Sequence, residues 1–220
     1  MLDIVSAGVL KAFRVWILGS GPNGQSFYSR LPARGTMRSI CPDEIIIACN
    51  RAILIPLFPQ FWMCEDSTIP GQDWFQKGIK KVKYHHRDLE CKKIFSDAIA
   101  AKNKCEYNFK HRGIWKRGED PKYILGQTFG GATVSCRALQ ISAMSGATQI
   151  ILVGVDLFGA NYFDGATNLT DSKLREEKEW EQVSNFDEII KWVSKNTGSK
   201  IYSATPSALK SPMKFQGALP

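Results

Sequence analysis

A carboxylate, a phenol and a glycine-rich turn are the residues of this chain best suited to chemistry. The stretch "GVDLFGANYFDG" (154–165) places Asp156 directly after an apolar run, with Tyr162 and Asp164 a few residues on. A carboxylate at that depth needs a partner, because an unpaired buried charge is costly. Asp156 either serves a ligand or accepts bonds from loop amides. Tyr162 either donates its phenol proton to a departing phosphate or packs on the core. Gly19, Gly21 and Gly24 in "LGSGPNG" follow G-x-G-x-x-G, the spacing that lets backbone approach phosphate at a helix start. Pro22 removes a donor from that turn, and the acidic residue a dinucleotide site needs at the end of the next strand is replaced by Cys49-Asn50. Gly19, Ser20, Gly21, Pro22 and Asn23 therefore read as a mononucleotide or phosphate turn, with a purely structural turn as the alternative.

Three further clusters carry chemistry. Asn50 closes "EIIIACN", where its amide can bond a ribose or phosphate, or cap the next helix. Glu65 and Asp66 end "QFWMCED", where paired carboxylates hold Mg²⁺, exchange protons, or cap a turn. "FGGATVS" sets Gly130, Gly131, Ala132, Thr133 and Ser135 at a helix start, leaving room for a ligand near free N–H groups. The histidines, His85, His86 and His111, match no zinc spacing with the cysteines. Either of the first two could act as a base.

The elements that must position these groups alternate. "RVWIL" (14–18), "EIIIACN" (44–50), "QFWMCED" (60–66) and "TQIILVGVDLF" (148–158) read as buried strands, and "KIYSAT" as the last one. "KKVKYHH" (80–86) alternates like an outer strand, and "EYNFK" reads as another. "DLECKKIFSDAIAAKN" (88–103), "GGATVSCRALQISAMSGA" (130–147) and residues 173–196 have helical spacing, and 111–129 reads as loop. Strands alternating with helices predict an α/β, Rossmann-like, mainly parallel sheet with helices on both faces. Ligands bind such sheets outside the strands' carboxyl ends, where Gly19–Asn23, Asn50, Glu65–Asp66 and Asp156–Asp164 should converge.

Bulk properties narrow the class. The 220 residues, 44 % hydrophobic, suit a single α/β domain, 1–220, with its core at 14–205. The longest apolar runs are too short to span a bilayer, and the first residues carry no basic n-region. Six cysteines without a C-x-x-C pair read as reduced thiols of a cytoplasmic protein. The net charge of +8 arises within residues 77–122, which hold fourteen Lys and Arg against six Asp and Glu. That stretch reads as a solvated face or as a patch for an acidic glycan or other polyanion. It falls within 67–129, where a small basic lid or insert is expected.

In this order, "GSGP", "CN" and "ALQISAMSGATQIILVGVDLF…NYFDG" resemble the bacterial sialyltransferases and the related 6-hydroxymethylpterin pyrophosphokinase-like proteins, some of them phage-borne. The resemblance spans roughly 14–205. It implies a Rossmann-like domain with a small lid, a CMP-sugar donor and no metal or other cofactor required for the chemistry. It assigns Gly19, Ser20 and Gly21 to the nucleotide turn, Asn50 to the nucleotide, Gly131 and Ala132 to the donor sugar, and Tyr162 to the leaving phosphate. The family's second tyrosine is Phe158 here, its usual turn asparagine is Ser20, and its histidine before the last helix has no counterpart. Glu179 or Glu181 is then the base on offer. The pyrophosphokinase side implies ATP and Mg²⁺ near Glu65, Asp66 or Asp156. A third reading is a non-enzymatic domain that binds a nucleotide or polyanion.

Overall fold

The computed structural model describes residues 2–29, 44–55, 57, 59–84, 91–130, 132–157, 162–163 and 172–217. The first half runs β1 (Leu2–Asp3), β2 (Arg14–Leu18), α1 (Gly24–Tyr28), β3 (Ile45–Cys49), β4 (Phe61–Cys64) and α2 (Asp73–Tyr84). Short 3-10 turns occupy Asn50–Leu54 and Ile69–Gly71. The second half runs β5 (Lys92–Ser96), α3 (Asp97–Ala100), β6 (Tyr107–Ile114), β7 (Gln127–Gly130), α4 (Val134–Met144), β8 (Gln149–Val153), α5 (Ser172–Thr197), β9 (Lys200–Ser203) and β10 (Met213–Lys214).

The sheet order is β1-β6-β5-β4-β3-β2-β8-β9-β10, with β7 beside β6, and its pairings among the described residues are parallel. The chain winds outward from β2 through β3 and β4, then returns to place β8 on the other side of β2. The order reverses at β2, so its carboxyl end is the switch point where such sheets bind ligands.

Alternate strand residues enter opposite cores, as the two-residue period of a strand requires. Val15, Ile17, Ile47, Met63, Ile94 and Leu152 face a core roofed by α4 and α5. Trp16, Leu18, Ile46, Trp62, Phe95 and Val153 face the core under α1, α2 and the Asn50–Leu54 turn. Helix α4 is buried along its whole length, including Arg137 and Gln140. Buried on every side, it lies between the sheet and α5 rather than presenting one apolar stripe.

Two expected elements exchange identity. Residues 80–86 are not an outer strand: through Tyr84 they continue α2, whose Trp74, Phe75 and Gly78 are buried at helical spacing. Residues 88–103 are not one helix, because Lys92–Ser96 forms β5 between β4 and β6, followed by the short α3. There Ile94 fills one core and Phe95 the other. Segment 67–129 thus supplies α2 and β5–β7, sheet and sheet cover.

The basic surplus is divided. Lys92 and Lys93 begin β5, whereas Lys116 and Arg117 lie past β6 at the opposite end of the sheet. Lys81 is turned inward, donating to the carbonyls of Ile53 (2.6 Å), Ile55 and Leu57 (3.3 Å). Burial pushes its amine down to about 8. Among the described residues, Cys49, Cys64, Cys91, Cys105 and Cys136 form no disulfide, and burial raises each of these thiols.

Candidate functional site

The carboxyl ends of β2, β3 and β8 are adjacent because Leu18 pairs with Ala48 on one side and Val153 on the other. The glycine turn leaves β2 between them. Gly19 N–H donates to the Val153 carbonyl at 2.7 Å, and Gly21 N–H to that of Gly154 at 2.8 Å. The glycines are needed for this approach. A Cβ on Gly19 would lie 2.4 Å from the Gly154 oxygen, and one on Gly21 would lie 2.5 Å from the Asp156 carboxylate. Gly154 itself has φ +63°, a conformation glycine adopts without strain. Tyr28 closes the turn from α1, donating its hydroxyl to the Gly19 carbonyl at 3.0 Å.

Asp156 is 2 % exposed. Its Oδ2 accepts the Asn23 N–H at 2.7 Å, at the start of α1, the position an anion would take on that helix end. Among the described residues its Oδ1 has no partner. Loss of solvent pushes the carboxyl up from 3.8 to about 6, against the pull of the Asn23 N–H. The fold therefore favours the protonated acid. Asp156 contributes stability that is fully present below pH 3.8 and lost as pH rises through about 6. Asp156→Asn is expected to abolish a fall of about 2 kcal/mol in unfolding free energy between pH 4 and 6.5. Urea unfolding of both proteins across that range checks it.

Asn50 leads the 3-10 turn with φ +48°, a left-handed conformation asparagine tolerates and most residues avoid. Its carbonyl accepts the Trp62 indole N–H at 3.1 Å, while its side-chain Oδ1 is buried without a partner among the described residues. Arg51 follows, with its guanidinium 5.1 Å from the centre of the Tyr162 ring. Next to Tyr162, Phe163 N–H donates to the Ser20 carbonyl of the glycine turn at 3.0 Å. One rim therefore unites Gly19–Asn23, Asn50, Tyr162 and Asp156. Pro22 accepts only through its carbonyl, from Gln25 N–H at 3.1 Å. Ala132 packs on the core beside Thr133, whose Oγ1 is buried without a partner among the described residues at the start of α4.

The carboxylate pair after β4 is committed elsewhere. Glu65 Oε1 lies 2.5 Å from the Arg137 guanidinium, which is 1 % exposed and also donates to Thr128 Oγ1 at 2.9 Å. Asp66 Oδ1 accepts the N–H (2.8 Å) and hydroxyl (2.9 Å) of Thr68. Glu65→Ala would leave a buried guanidinium without its counter-charge, at a cost of about 3 kcal/mol. Its urea midpoint should fall well below that of Glu65→Gln, which retains an acceptor.

Glu181 stands apart from the rim, on α5, in a groove that also includes Ala208. Gly131, Phe158, Asp164, His85 and His86 lie outside the described residues, as do the side chains of His111 and Glu179. Arg51 and Tyr28 escaped the reading of the sequence. Arg51 directly follows the singled-out Asn50, and that adjacency was the signal for it. Tyr28 carries none, since only the fold brings it to Gly19.

No protein-family model matches the chain, and no curated protein matches it in sequence. Solved structures do match its fold. The Maf glycosyltransferase of Magnetospirillum magneticum AMB-1 gives a TM-score of 0.57 at 14 % identity, covering 94 % of this chain and 34 % of that one. This chain thus spans about a third of the length of that enzyme. The sialyltransferase CstII of Campylobacter jejuni, solved with the substrate analogue CMP-3FNeuAc, gives 0.52 at 14 % identity over 94 % of this chain and 87 % of its own. The monofunctional α-2,3-sialyltransferase Cst-I of the same organism gives 0.50 at 11 % identity over 88 % and 76 %. The pyrophosphokinase half of the resemblance gains no support from these neighbours. Likeness at such identities is likeness of fold: the chain has the Rossmann-like α/β fold found in bacterial sialyltransferases and glycosyltransferases.

Proposed function

We propose that the chain is a glycosyltransferase that takes a nucleotide sugar, with a CMP-sugar as donor. The observation that carries this is Asn50, held in a left-handed turn with a buried Oδ1 unpartnered among the described residues, beside Arg51 and the Gly19–Gly21 turn. An unsatisfied buried acceptor on a ligand rim is a group awaiting a donor, here a ribose hydroxyl or cytosine amine. Arg51 brings the positive charge that a nucleotide phosphate needs without a metal. Tyr162 is seated on Arg51 with its phenol available to the leaving phosphate. Ser20 and Asn23 flank the nucleotide, and Gly131 and Ala132 the donor sugar. Asp156, whose carboxyl burial raises to about 6, is a second titratable group on this rim. The fold neighbours solved with CMP or a CMP-sugar analogue support the choice of base by analogy.

The geometry favours this reading over ATP- and Mg²⁺-dependent phosphotransfer, because Glu65 and Asp66 are occupied by Arg137 and Thr68. It also favours it over a polyanion-binding domain, because the basic surplus is split between the two ends of the sheet. Thermal shifts with CMP, CDP, UDP, GDP and ATP test it. CMP should raise the melting temperature in EDTA, by about 2.7 kcal/mol of stabilisation at 100 Kd. A shift with ATP alone that needs Mg²⁺, or none with any nucleotide, would reject it.

A further inference from the structure

Lys81 occupies a position of α2 where an apolar residue would be expected. It follows Trp74 by seven positions and Gly78 by three, so helical spacing puts it on the inward face with them. A leucine or methionine would pack there without taking a charge out of water. Gly78 explains how the amine reaches its partners. A Cβ on Gly78 would lie 2.9 Å from both the Ile53 and the Trp62 side chains, so α2 lies directly against the Asn50–Leu54 turn. The chain there supplies three oxygens within five residues: the carbonyls of Ile53, Ile55 and Leu57 all accept from the Lys81 ammonium. The sequence leaves these oxygens short of donors. Residue 56 is proline, with no N–H to extend the 3-10 ladder onto the Ile53 carbonyl. The Leu57 N–H turns back to the Ile55 carbonyl at 2.7 Å. An ammonium has three protons, one for each carbonyl. Burial lowers that amine to about 8, so the three bonds offset a real loss of solvent.

We propose that Lys81 is a positioning residue for the nucleotide rim. Its ammonium acts as a tethered monovalent cation that gathers the three carbonyls and thereby fixes Asn50 and Arg51 at the other end of the same turn. As a statement about nucleotide binding this rests on the donor reading above. The turn needs such a clamp. It is a 3-10 segment of five residues, and hydrogen bonds of that helix type are weak. Asn50, with φ +48°, holds a conformation that persists only where its surroundings impose it. The Trp62 indole fixes the Asn50 carbonyl at one end, and Lys81 fixes the carbonyls at and just past the other. A neutral side chain of equal length would fill the space but leave the three oxygens to find other donors. The chain end would then shift, and Asn50 and Arg51 with it.

Lys81→Ala removes the atoms of n-propylammonium, so the missing amine can be returned from solution. The ¹H–¹⁵N resonance of the Trp62 indole reports the turn without nucleotide, because its proton sits on the Asn50 carbonyl. In Lys81→Ala that resonance should move upfield as the bond lengthens, and CMP should bind roughly tenfold more weakly by calorimetry. Propylammonium chloride should restore both saturably. Tetramethylammonium chloride at the same ionic strength, which carries the charge but no N–H, should restore neither. If Lys81→Ala does not fold, propylammonium should refold it and tetramethylammonium should not. A variant that melts lower yet keeps the Trp62 resonance and the CMP affinity overturns the proposal, because Lys81 would then support the fold alone. So does equal recovery with tetramethylammonium, or no recovery with propylammonium. Because the Trp62 resonance is read without nucleotide, its failure overturns the clamp, and failure of the wild-type CMP thermal shift overturns the donor reading.

Discussion

Arg51→Met is expected to weaken CMP binding by roughly 30- to 100-fold while leaving cytidine binding within about twofold. The difference between the two ligands isolates the phosphate. A charge-assisted hydrogen bond contributes about 1.5–3 kcal/mol, which is the size of that loss. Arg51 is placed for this role by three independent features. It follows Asn50 at the carboxyl end of β3. The turn that carries it is anchored from below, where Lys81 binds the carbonyls of Ile53 and Leu57. Its guanidinium is stacked at 5.1 Å on Tyr162. Arg51→Lys should recover only part of the affinity, since an ammonium keeps the charge but not the planar stack. Calorimetric titration of CMP and cytidine into both variants decides it. Equal losses for the two ligands would mean that Arg51 shapes the rim without touching phosphate.

Gly19→Ala should be the most destabilising of the glycine-to-alanine changes among the described residues, costing more than about 3 kcal/mol and roughly 10 °C in melting temperature. The added Cβ would sit 2.4 Å from the Gly154 oxygen and 2.8 Å from its carbonyl carbon. Both atoms are backbone, so β2 and β8 would have to separate. Gly21→Ala meets a side chain instead, the Asp156 carboxylate at 2.5 Å, as well as the Gly154 oxygen at 2.7 Å. Combining it with Asp156→Ala should restore part of the lost stability, whereas the same second change should not help Gly19→Ala. Gly71→Ala is the control. A Cβ there meets nothing within 4 Å, and its cost should stay within about 0.5 kcal/mol. Thermal and urea unfolding of the five variants measures the series.

These glycines show what a motif can and cannot say. G-x-G-x-x-G announces a close backbone approach at the end of β2, and the approach is real. Much of it is to the protein's own Gly154 and Asp156, and the Asn23 N–H already holds a carboxylate. The open part of the rim lies toward β3, where Asn50, Arg51 and Tyr162 gather. The sequence pointed to Asn50 and Tyr162 as separate candidates more than a hundred residues apart. Only the fold brings them to one rim, through the Phe163–Ser20 bond and the stacking of Arg51 on Tyr162.

The sequence by itself determined the architecture around the switch point. "RVWIL", "EIIIACN", "QFWMCED" and "TQIILVGVDLF" are apolar on both sides, and a strand apolar on both sides must lie inside a sheet covered on both faces. Their alternation with helices then required parallel pairing and sent the polar clusters to one edge. Tertiary structure decided the elements whose own pattern is weak. "KKIFS" has only two large apolar residues and becomes β5 because β4 and β6 take its backbone bonds on both edges. "KKVKY" alternates over too few residues to outweigh Trp74, Phe75 and Gly78, which dock α2 on the core. Glu65 lost its freedom to Arg137, seventy-two residues away, a pairing no local signal contains. Local period fixes which faces of an element are apolar. Which partner satisfies a buried charge or a strand edge is settled only when distant segments compete for it.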